Sequence, residues 1–274
     1  MKIIFWNVQR GYHAPEICRI LKQEDADVYL LTEIDRGVKR TKKIDFFDII
    51  TQCLKVKSHF ETEFIEKESF FRHIIRTGGP GGGVHGNAVF TKLPIKSYQK
   101  VLLPSSETLR WDGTTIVPEL FEPRAGQRIA QIVTVSLNGS AVQLVNTHLE
   151  CWRMGWPGRK KQLDTIFNVL DLQKPIIFAG DLNNIGNNPI KAILTAKYIE
   201  EETQQVQDYL FEKGLQSCFP QDSYTHFGLW FFRRKSKLDW LAVSRHFHVS
   251  SQKNIRTPWS DHNYLTIEVR LEKK

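Results

Sequence analysis

Residues 2–33 read KIIFWNVQRGYHAPEICRILKQEDADVYLLTE, and their order of residue types decides the fold. Lys2 to Val8 is a compact apolar run ending at a polar pair, which reads as a strand. Gly11 breaks it, and Pro15 stands where a first helical turn has no use for an N–H. Ile17, Ile20 and Leu21 then recur at helical spacing as far as Lys22. Asp27 to Thr32 is a β-branched and leucine-rich strand that delivers Glu33 at its end. The chain therefore opens β-α-β.

Outward from this unit, Ile44 to Leu54 predicts an amphipathic helix. Residues 78–83 hold glycine at five of six positions and predict a loop, without the Lys-Ser/Thr that completes a P-loop. His85 to Thr91, Gln127 to Leu137 and Ala141 to Leu149 are strand-like, and Asn138-Gly139 is a two-residue hairpin signal between the last two. Pro157 opens a helix with an apolar stripe of Leu163, Ile166, Phe167 and Leu170. Pro175 to Ala179 is a buried-type strand ending at Gly180-Asp181. Helices are expected at Pro189 to Ala196 and around Thr203 to Lys213, and strands at Lys237 to Ser244 and Tyr264 to Leu271. Hairpins beside a β-α-β unit mean mixed pairing, so the expectation is α/β (α+β): sheets packed together with helices outside, in one domain.

The chain has 274 residues and a formal charge of +8, with 41% hydrophobic and 25% charged residues, which excludes disordered, collagen-like and coiled-coil classes. The apolar stretch before Asn7 lacks the h-region of a secretory signal. Runs such as Val28 to Leu31 are far below the roughly 20 residues a membrane-spanning helix needs. Cys18, Cys53, Cys151 and Cys218 form no CxxC pair, so neither a zinc site nor a disulfide framework is expected, and a cytoplasmic location fits. Positive charge thickens at Arg36 to Lys43, Arg159 to Lys161 and Arg233 to Lys237, each either a solvated face or a contact for an anionic partner.

One placement recurs six times: a strand ends, and within a residue or two comes Asn, Asp, Glu or His. One such case is ordinary turn chemistry, but six with these residue types point to a site at one rim of a sheet. The set is rich in carboxylates and lacks cysteine, which suits a hard cation such as Mg²⁺ or Mn²⁺ and leaves imidazoles for proton transfer. Phosphate is the natural substrate for that combination.

Trp6-Asn7-Val8-Gln9, Leu31-Thr32-Glu33, Asn146-Thr147-His148-Leu149, Gly180-Asp181-Leu182-Asn183, Lys237-Leu238-Asp239 and Ser260-Asp261-His262, in that order, resemble the endonuclease/exonuclease/phosphatase superfamily. That group includes DNase I, AP endonucleases, deadenylases, sphingomyelinases and inositol-polyphosphate phosphatases, and Gly81 to Ala88 is similar to a stretch of uncharacterised bacterial members. The resemblance implies a four-layered sandwich of two packed mixed β-sheets flanked by helices. It implies Glu33 as principal metal ligand, with Asn7 and Asp261 helping to set the metal and its waters. His262, oriented by Asp239, would act as base or bind the scissile phosphate, and Asp181 would position or activate the attacking water. Asn183 and His148 would stabilise the transition state or assist the leaving group. Gln9 stands where AP endonucleases carry a second acid, which weakens that branch alone. Asn263-Tyr264 follows Ser-Asp-His where many members have a nearby proline.

For the substrate, Trp152, Arg153 and Trp156 follow His148, and Phe227 with Trp230 to Phe232 precedes Arg233-Arg234-Lys235. Such a mixture stacks bases and tracks a nucleic-acid backbone, docks on an anionic membrane, or packs a core. Trp152, Arg153 and Trp230 are the substrate-contact candidates, with His85 and Asn87 at the end of the glycine loop. His13, His59, His73, His226, His246 and His248 carry no motif and receive no role. The expected protein is a monomeric Mg²⁺- or Mn²⁺-dependent phosphodiesterase, foremost a nuclease on DNA or RNA. A sphingomyelin-like phospholipid or a soluble phosphate ester is the alternative substrate, and a non-catalytic nucleic-acid-binding module is the non-enzymatic alternative.

Overall fold

A computed structural model of the chain describes residues 1–68, 80–105, 123–151, 154–186, 196–229 and 234–272. In β1 (Lys2–Arg10) alternation sends Ile3 and Phe5 to one face and Ile4, Trp6 and Val8 to the other, and all five are fully buried. A strand apolar on both faces needs a layer above and below it. Helix α1 (Ala14–Glu24) turns the chain back, so that β2 (Val28–Arg36) lies parallel to β1 with Ile3 opposite Val28 and Asn7 opposite Thr32.

The first sheet has seven strands, in the order β14 (Phe247–Ile255), β15 (Tyr264–Leu271), β1, β2, β4 (Val84–Thr91), β3 (Lys57–Glu66), β6 (Arg124–Gly126). The second has six: β10 (Leu215–Ser217), β13 (Asp239–Ser244), β9 (Ile176–Asp181), β8 (Ser140–His148), β7 (Ile129–Leu137), β5 (Ile95–Leu102). Each sheet holds one parallel pair, β1 with β2 and β8 with β9, among antiparallel ones. A small hairpin, β11 (His226–Leu229) with β12 (Arg234–Ser236), stands apart from both.

Phe5, Leu30 and Val89 of the first sheet pack against Leu144, Ile177 and Leu241 of the second, which makes the central core. The outer face of the first sheet, with Trp6 and Leu31, is covered by Ile17 and Leu21 of α1 and by Phe46 and Ile50 of α2 (Phe46–Leu54). The outer face of the second, with Phe178 and Trp240, is covered by Leu163 and Ile166 of α3 (Gly155–Phe167) and by Tyr209 and Leu210 of α4 (Ala196–Glu212). The order is helices, sheet, sheet, helices: the four-layered α+β sandwich.

Asn146 ties the sheets together. Its Nδ2 donates to the Leu31 and Ala88 carbonyls at 3.0 and 3.1 Å and to Gln131 Oε1 at 3.0 Å, so this motif residue fixes the spacing of two layers. Asn138 and Gly139 both have positive φ, 50° and 84°, as the two-residue turn requires. Seven strands escape the sequence reading: the short β6, β10, β11 and β12, and the longer β3, β5 and β14. The patterns of the longer three are polar or half-exposed because β5 and β14 are sheet edges and β3 lies next to the short β6. The helix expected at Pro189 to Ala196 falls mostly outside the described residues.

The cysteine expectation is corrected. Cys18 of α1 and Cys53 of α2 are joined in a disulfide, which a separation of 35 residues hides in the sequence and the side-by-side packing of the two helices creates. Gly86 is required for a close approach: a Cβ there would lie 2.0 Å from the Glu61 carbonyl oxygen of the neighbouring strand. Gly86→Ala is expected to lower unfolding stability by about 1 to 3 kcal/mol. A thermal melt with unchanged Tm would contradict this packing.

Candidate functional site

Strand direction gathers the polar strand ends at one rim. β1 and β2 run parallel and bring Asn7 and Glu33 there, while β8 and β9 run parallel and bring His148 opposite Asp181. β13 is antiparallel to β9, so its first residue, Asp239, pairs with Asp181, and β15 begins just after His262. Two bulges aim the first pair. Between Asn7–Thr32 and Arg10–Ile34 the register of β1 with β2 slips, and between Leu31–Ala88 and Ile34–Gly86 that of β2 with β4 slips. Glu33 sits in both slips at φ 59°, and Asn183 follows β9 at φ 48°. These are left-handed backbones that a non-glycine residue holds only at a cost, a pattern concentrated at functional sites.

Asp181 is the centre. Its Oδ1 accepts the Asn183 N–H at 3.0 Å and its Oδ2 accepts Asn7 Nδ2 at 2.9 Å, with His148 Nε2 and His262 Nε2 each 3.7 Å from the same Oδ2. Asn7 Nδ2 also lies 3.2 Å from Glu33 Oε1, and Asn7 Oδ1 accepts the Gln9 N–H. His262 Nδ1 is 2.7 Å from Asp239 Oδ2, which fixes the ring and turns Nε2 toward Asp181. Trp6 Nε1 donates to the His262 carbonyl and Ser260 Oγ donates to the Asn7 carbonyl, so Trp6 and Ser260 position the loop that carries His262.

Burial pushes the Asp181 carboxyl up, Asp239 and Glu33 add to the shift, and the total outweighs His262 and Asn7, leaving it at about 7. Burial would lower His262, but the charge and hydrogen bond of Asp239 and the charges of Asp181 and Asp261 hold it well above its usual range. Burial and the charges of Arg128 and His85 push His148 well below its usual range, so it is neutral. Burial would raise Glu33, but Arg10, His85 and His262 hold it below the usual carboxylate range.

These groups line a cavity of about 280 Å³. Of the sequence candidates, Glu33, His85, His148, Asp181, Asn183, Asp261 and His262 reach its surface. Asp239 is buried behind His262. Asn87 is fully buried and donates to Glu63 Oε1 at 3.0 Å, one layer behind the wall. Trp152, Arg153 and Trp230 lie outside the described residues. Trp156 packs edge-on against Tyr209 beside the outer core of the second sheet. Arg159 is wholly buried and forks onto Glu202, so the basic cluster it heads is not simply a solvated face.

The sequence reading missed four arginines that line the cavity, Arg10, Arg40, Arg124 and Arg128, and it missed His226, whose ring lies 4.7 Å from that of His262. No local spacing signals these arginines: Arg124 begins β6 of the first sheet and Arg128 precedes β7 of the second, so only the fold brings them together. Arg40 forks onto Asp35, with both bonds at 2.7 Å, and reaches Glu66 at 3.1 Å, while His85 Nδ1 is 2.7 Å from Asp35.

Burial pushes Asp35 up, yet the hydrogen bonds from His85 and Arg40 pull it down to about 2. Its folded pKa lies below the unfolded value of about 3.9, so its contribution of about 2 to 3 kcal/mol is present above pH 4 and is lost as pH falls through 2. Asp35→Asn, which removes the acid held by two 2.7 Å bonds to the buried Arg40 and leaves it Glu66, is expected to lower stability at pH 7 by about 3 kcal/mol. The gap to wild type should narrow between pH 4 and pH 2 in urea unfolding. A constant gap over that range would rule out the assignment.

The donor chemistry fits a hard divalent cation. Glu33 and Asp181 crowd one amide nitrogen, and a cation would relieve the excess negative charge that raises Asp181. The one thiol at the cavity, Cys151 among the described residues, is pushed up to about 12 by burial and by Glu150, and so stays protonated. Two compact groups of possible ligands stand among the described residues: Asp181, Asp239 and His262, and His226, Asp261 and His262.

The sequence model of the Endonuclease/Exonuclease/phosphatase family matches residues 4–262. An endonuclease/exonuclease/phosphatase structure from Beutenbergia cavernae superposes with a TM-score of 0.70 at 18% identity, over 99% of this chain and 71% of that one. The human Nocturnin catalytic domain with bound sulfate gives 0.63 at 16% identity, over 99% and 93%. TDP2 from D. rerio, complexed with a single-strand DNA product, gives 0.62 at 14% identity, over 98% of each chain. At such identities the likeness is one of fold. No curated protein matches this chain in sequence.

Proposed function

Because the chain belongs to the endonuclease/exonuclease/phosphatase family, we propose that it is a divalent-metal-dependent phosphoesterase that cleaves a phosphodiester by in-line attack of water, with DNA or RNA as substrate. The observation that carries this reading is the continuous chain of contacts from Asp239 through His262 and Asp181 to Asn7 and Glu33, of which His262, Asp181 and Glu33 open onto one cavity. Glu33 would hold the cation, with the Asn7 oxygen and Asp261 completing its shell of ligands and waters. When bound, Mg²⁺ or Mn²⁺ supplies charge neutralisation of the phosphoryl oxygens.

The protein's own groups then divide the proton work. His262, charged because Asp239 and Asp181 flank it, donates from Nε2 to a phosphoryl oxygen. Asp181, with a pKa near neutrality, is matched to accept the proton of the attacking water, and Asn7 with the Asn183 N–H orients its two oxygens. His148, neutral and with no hydrogen-bond partner at Nδ1 among the described residues, is available to the leaving group.

The single-strand DNA product carried by TDP2 supports nucleic acid as the substrate class. A soluble phosphate ester is the second reading, favoured by the modest cavity and its buried arginine wall. No described helix is long and apolar enough to cross a membrane. The cytoplasmic location is opposed by the Cys18–Cys53 disulfide, since such bonds persist in oxidising compartments. Thiol trapping in intact cells decides between them.

The test is hydrolysis of single- and double-stranded DNA, RNA, sphingomyelin liposomes, an inositol phosphate and bis-p-nitrophenyl phosphate, with Mg²⁺ or Mn²⁺ and with EDTA. EDTA-sensitive cleavage of a nucleic acid supports the proposal. Turnover that survives EDTA, or none with either metal, counts against it.

A further inference from the structure

We propose that the arginine wall of the cavity is a second anion site, which takes a terminal phosphate of the substrate beside the scissile ester. This rests on the phosphoesterase reading. Arg40, Arg124 and Arg128 form that wall, with Glu66 bonded to Arg40 and paired in register with Arg124; Arg10 also lines the cavity but its charge acts on Glu33 and Asp261, which with Asp181 belong to the cation and His262 side.

Two of these arginines are held by acids behind the wall. Asp35 grips Arg40 and Glu63 holds Arg128 at 2.9 Å, and neither acid reaches the cavity surface. The Glu63 pair fixes the Arg128 guanidinium without using every donor, because a guanidinium carries five N–H groups in a rigid fork. Arg128 Nε is buried and has no hydrogen-bond partner among the described residues, Glu150 Oε1 lying 3.9 Å away. A buried charged donor of that kind calls for an acceptor, and phosphate oxygens match the fork.

Burial selects the kind of phosphate. The side chains of Arg40, Arg128 and Arg124 are 2%, 6% and 7% exposed. An internal phosphodiester carries chain in two directions and is tracked by exposed arginines along a groove, whereas a terminal phosphate enters a recess with chain on one side only. The same end group occurs on a nucleic-acid terminus and on a small sugar or nucleoside phosphate.

Two experiments decide. The first is calorimetric titration of inorganic phosphate into the His262→Ala variant, with and without Arg128→Gln, in metal-free buffer, where neither cation nor imidazolium draws phosphate to the other side. The His262→Ala protein is expected to bind and its Arg128→Gln form to bind at least about tenfold more weakly, while Arg128→Lys keeps a charge against Glu63 should the Gln variant not fold. No binding by the His262→Ala protein, or equal binding by a folded Arg128 variant of it, overturns the site.

The second is the ratio of kcat/KM for a thymidine dinucleotide with and without a terminal phosphate, and for a hexose bisphosphate against its monophosphate. A preference of at least about tenfold in either pair is expected, with the pair identifying the source, and Arg128→Lys should bring that ratio toward one. Metal-dependent cleavage without preference overturns the second site and leaves the phosphoesterase reading standing. Phosphate binding without cleavage of any substrate keeps the site and removes that reading.

Discussion

His262→Ala should leave a folded protein whose kcat on bis-p-nitrophenyl phosphate is about 10³- to 10⁴-fold below wild type. The size follows from what converges on this ring. Its Nδ1 is engaged by Asp239 at 2.7 Å, and the flanking carboxylates hold it in the charged form, so Nε2 is a fixed donor aimed into the cavity. A donor already oriented costs nothing to reorganise when charge builds on the phosphoryl oxygens. Asp239→Asn should reproduce much of the loss with His262 intact, because an amide removes the charge that keeps the imidazolium. Its pH profile should also change: with the histidine's pKa lowered, activity should fall at a lower pH on the alkaline side than in wild type. If His262→Ala keeps kcat within about tenfold of wild type, the ring is not the phosphate donor.

How much of this was legible in sequence depends on where each residue's partners lie. Asn7, Glu33, His148, Asp181, Asp239 and His262 could be read because each ends or begins an apolar strand, and parallel and antiparallel pairing then sends those ends to one rim. Asn146, in the same motif family, turned out to join the sheets, a contact to Leu31 and Ala88 that no local pattern encodes. The arginine wall was hidden for a related reason. Arg40 sits in a run of basic residues that reads as a solvated face, and its burial depends on Asp35 and on Glu66 of β3, a strand whose polar pattern concealed it. His226 was passed over because its neighbour, His262, is 36 positions away in sequence and is brought beside it by an antiparallel bridge. The Cys18–Cys53 disulfide, likewise, exists because two helices share one sheet face, which spacing alone does not reveal.

Glu33→Gln should weaken Mn²⁺ binding, measured by calorimetry, at least about 100-fold and should lower metal-saturated kcat/KM by about 10³-fold, with the fold retained. Glutamine keeps the shape and one oxygen, so the change removes charge and little else. That charge matters because Glu33 is the ionised carboxylate of the rim: Arg10, His85 and His262 hold it below its usual range, while its neighbour Asp181 is raised to about 7. At neutral pH, then, Glu33 offers a full negative charge to a cation and Asp181 is shared between base and acid forms, so the two carboxylates joined by Asn7 are already divided between holding and proton transfer. The backbone agrees with this division, since Glu33 is held at φ 59° in a double bulge and its side chain lines the cavity. Asp181→Asn supplies the contrast: it should cost turnover by a similar factor while weakening Mn²⁺ binding far less. Equal loss of Mn²⁺ affinity in the two variants would merge the roles and make Asp181 a ligand on the same footing as Glu33.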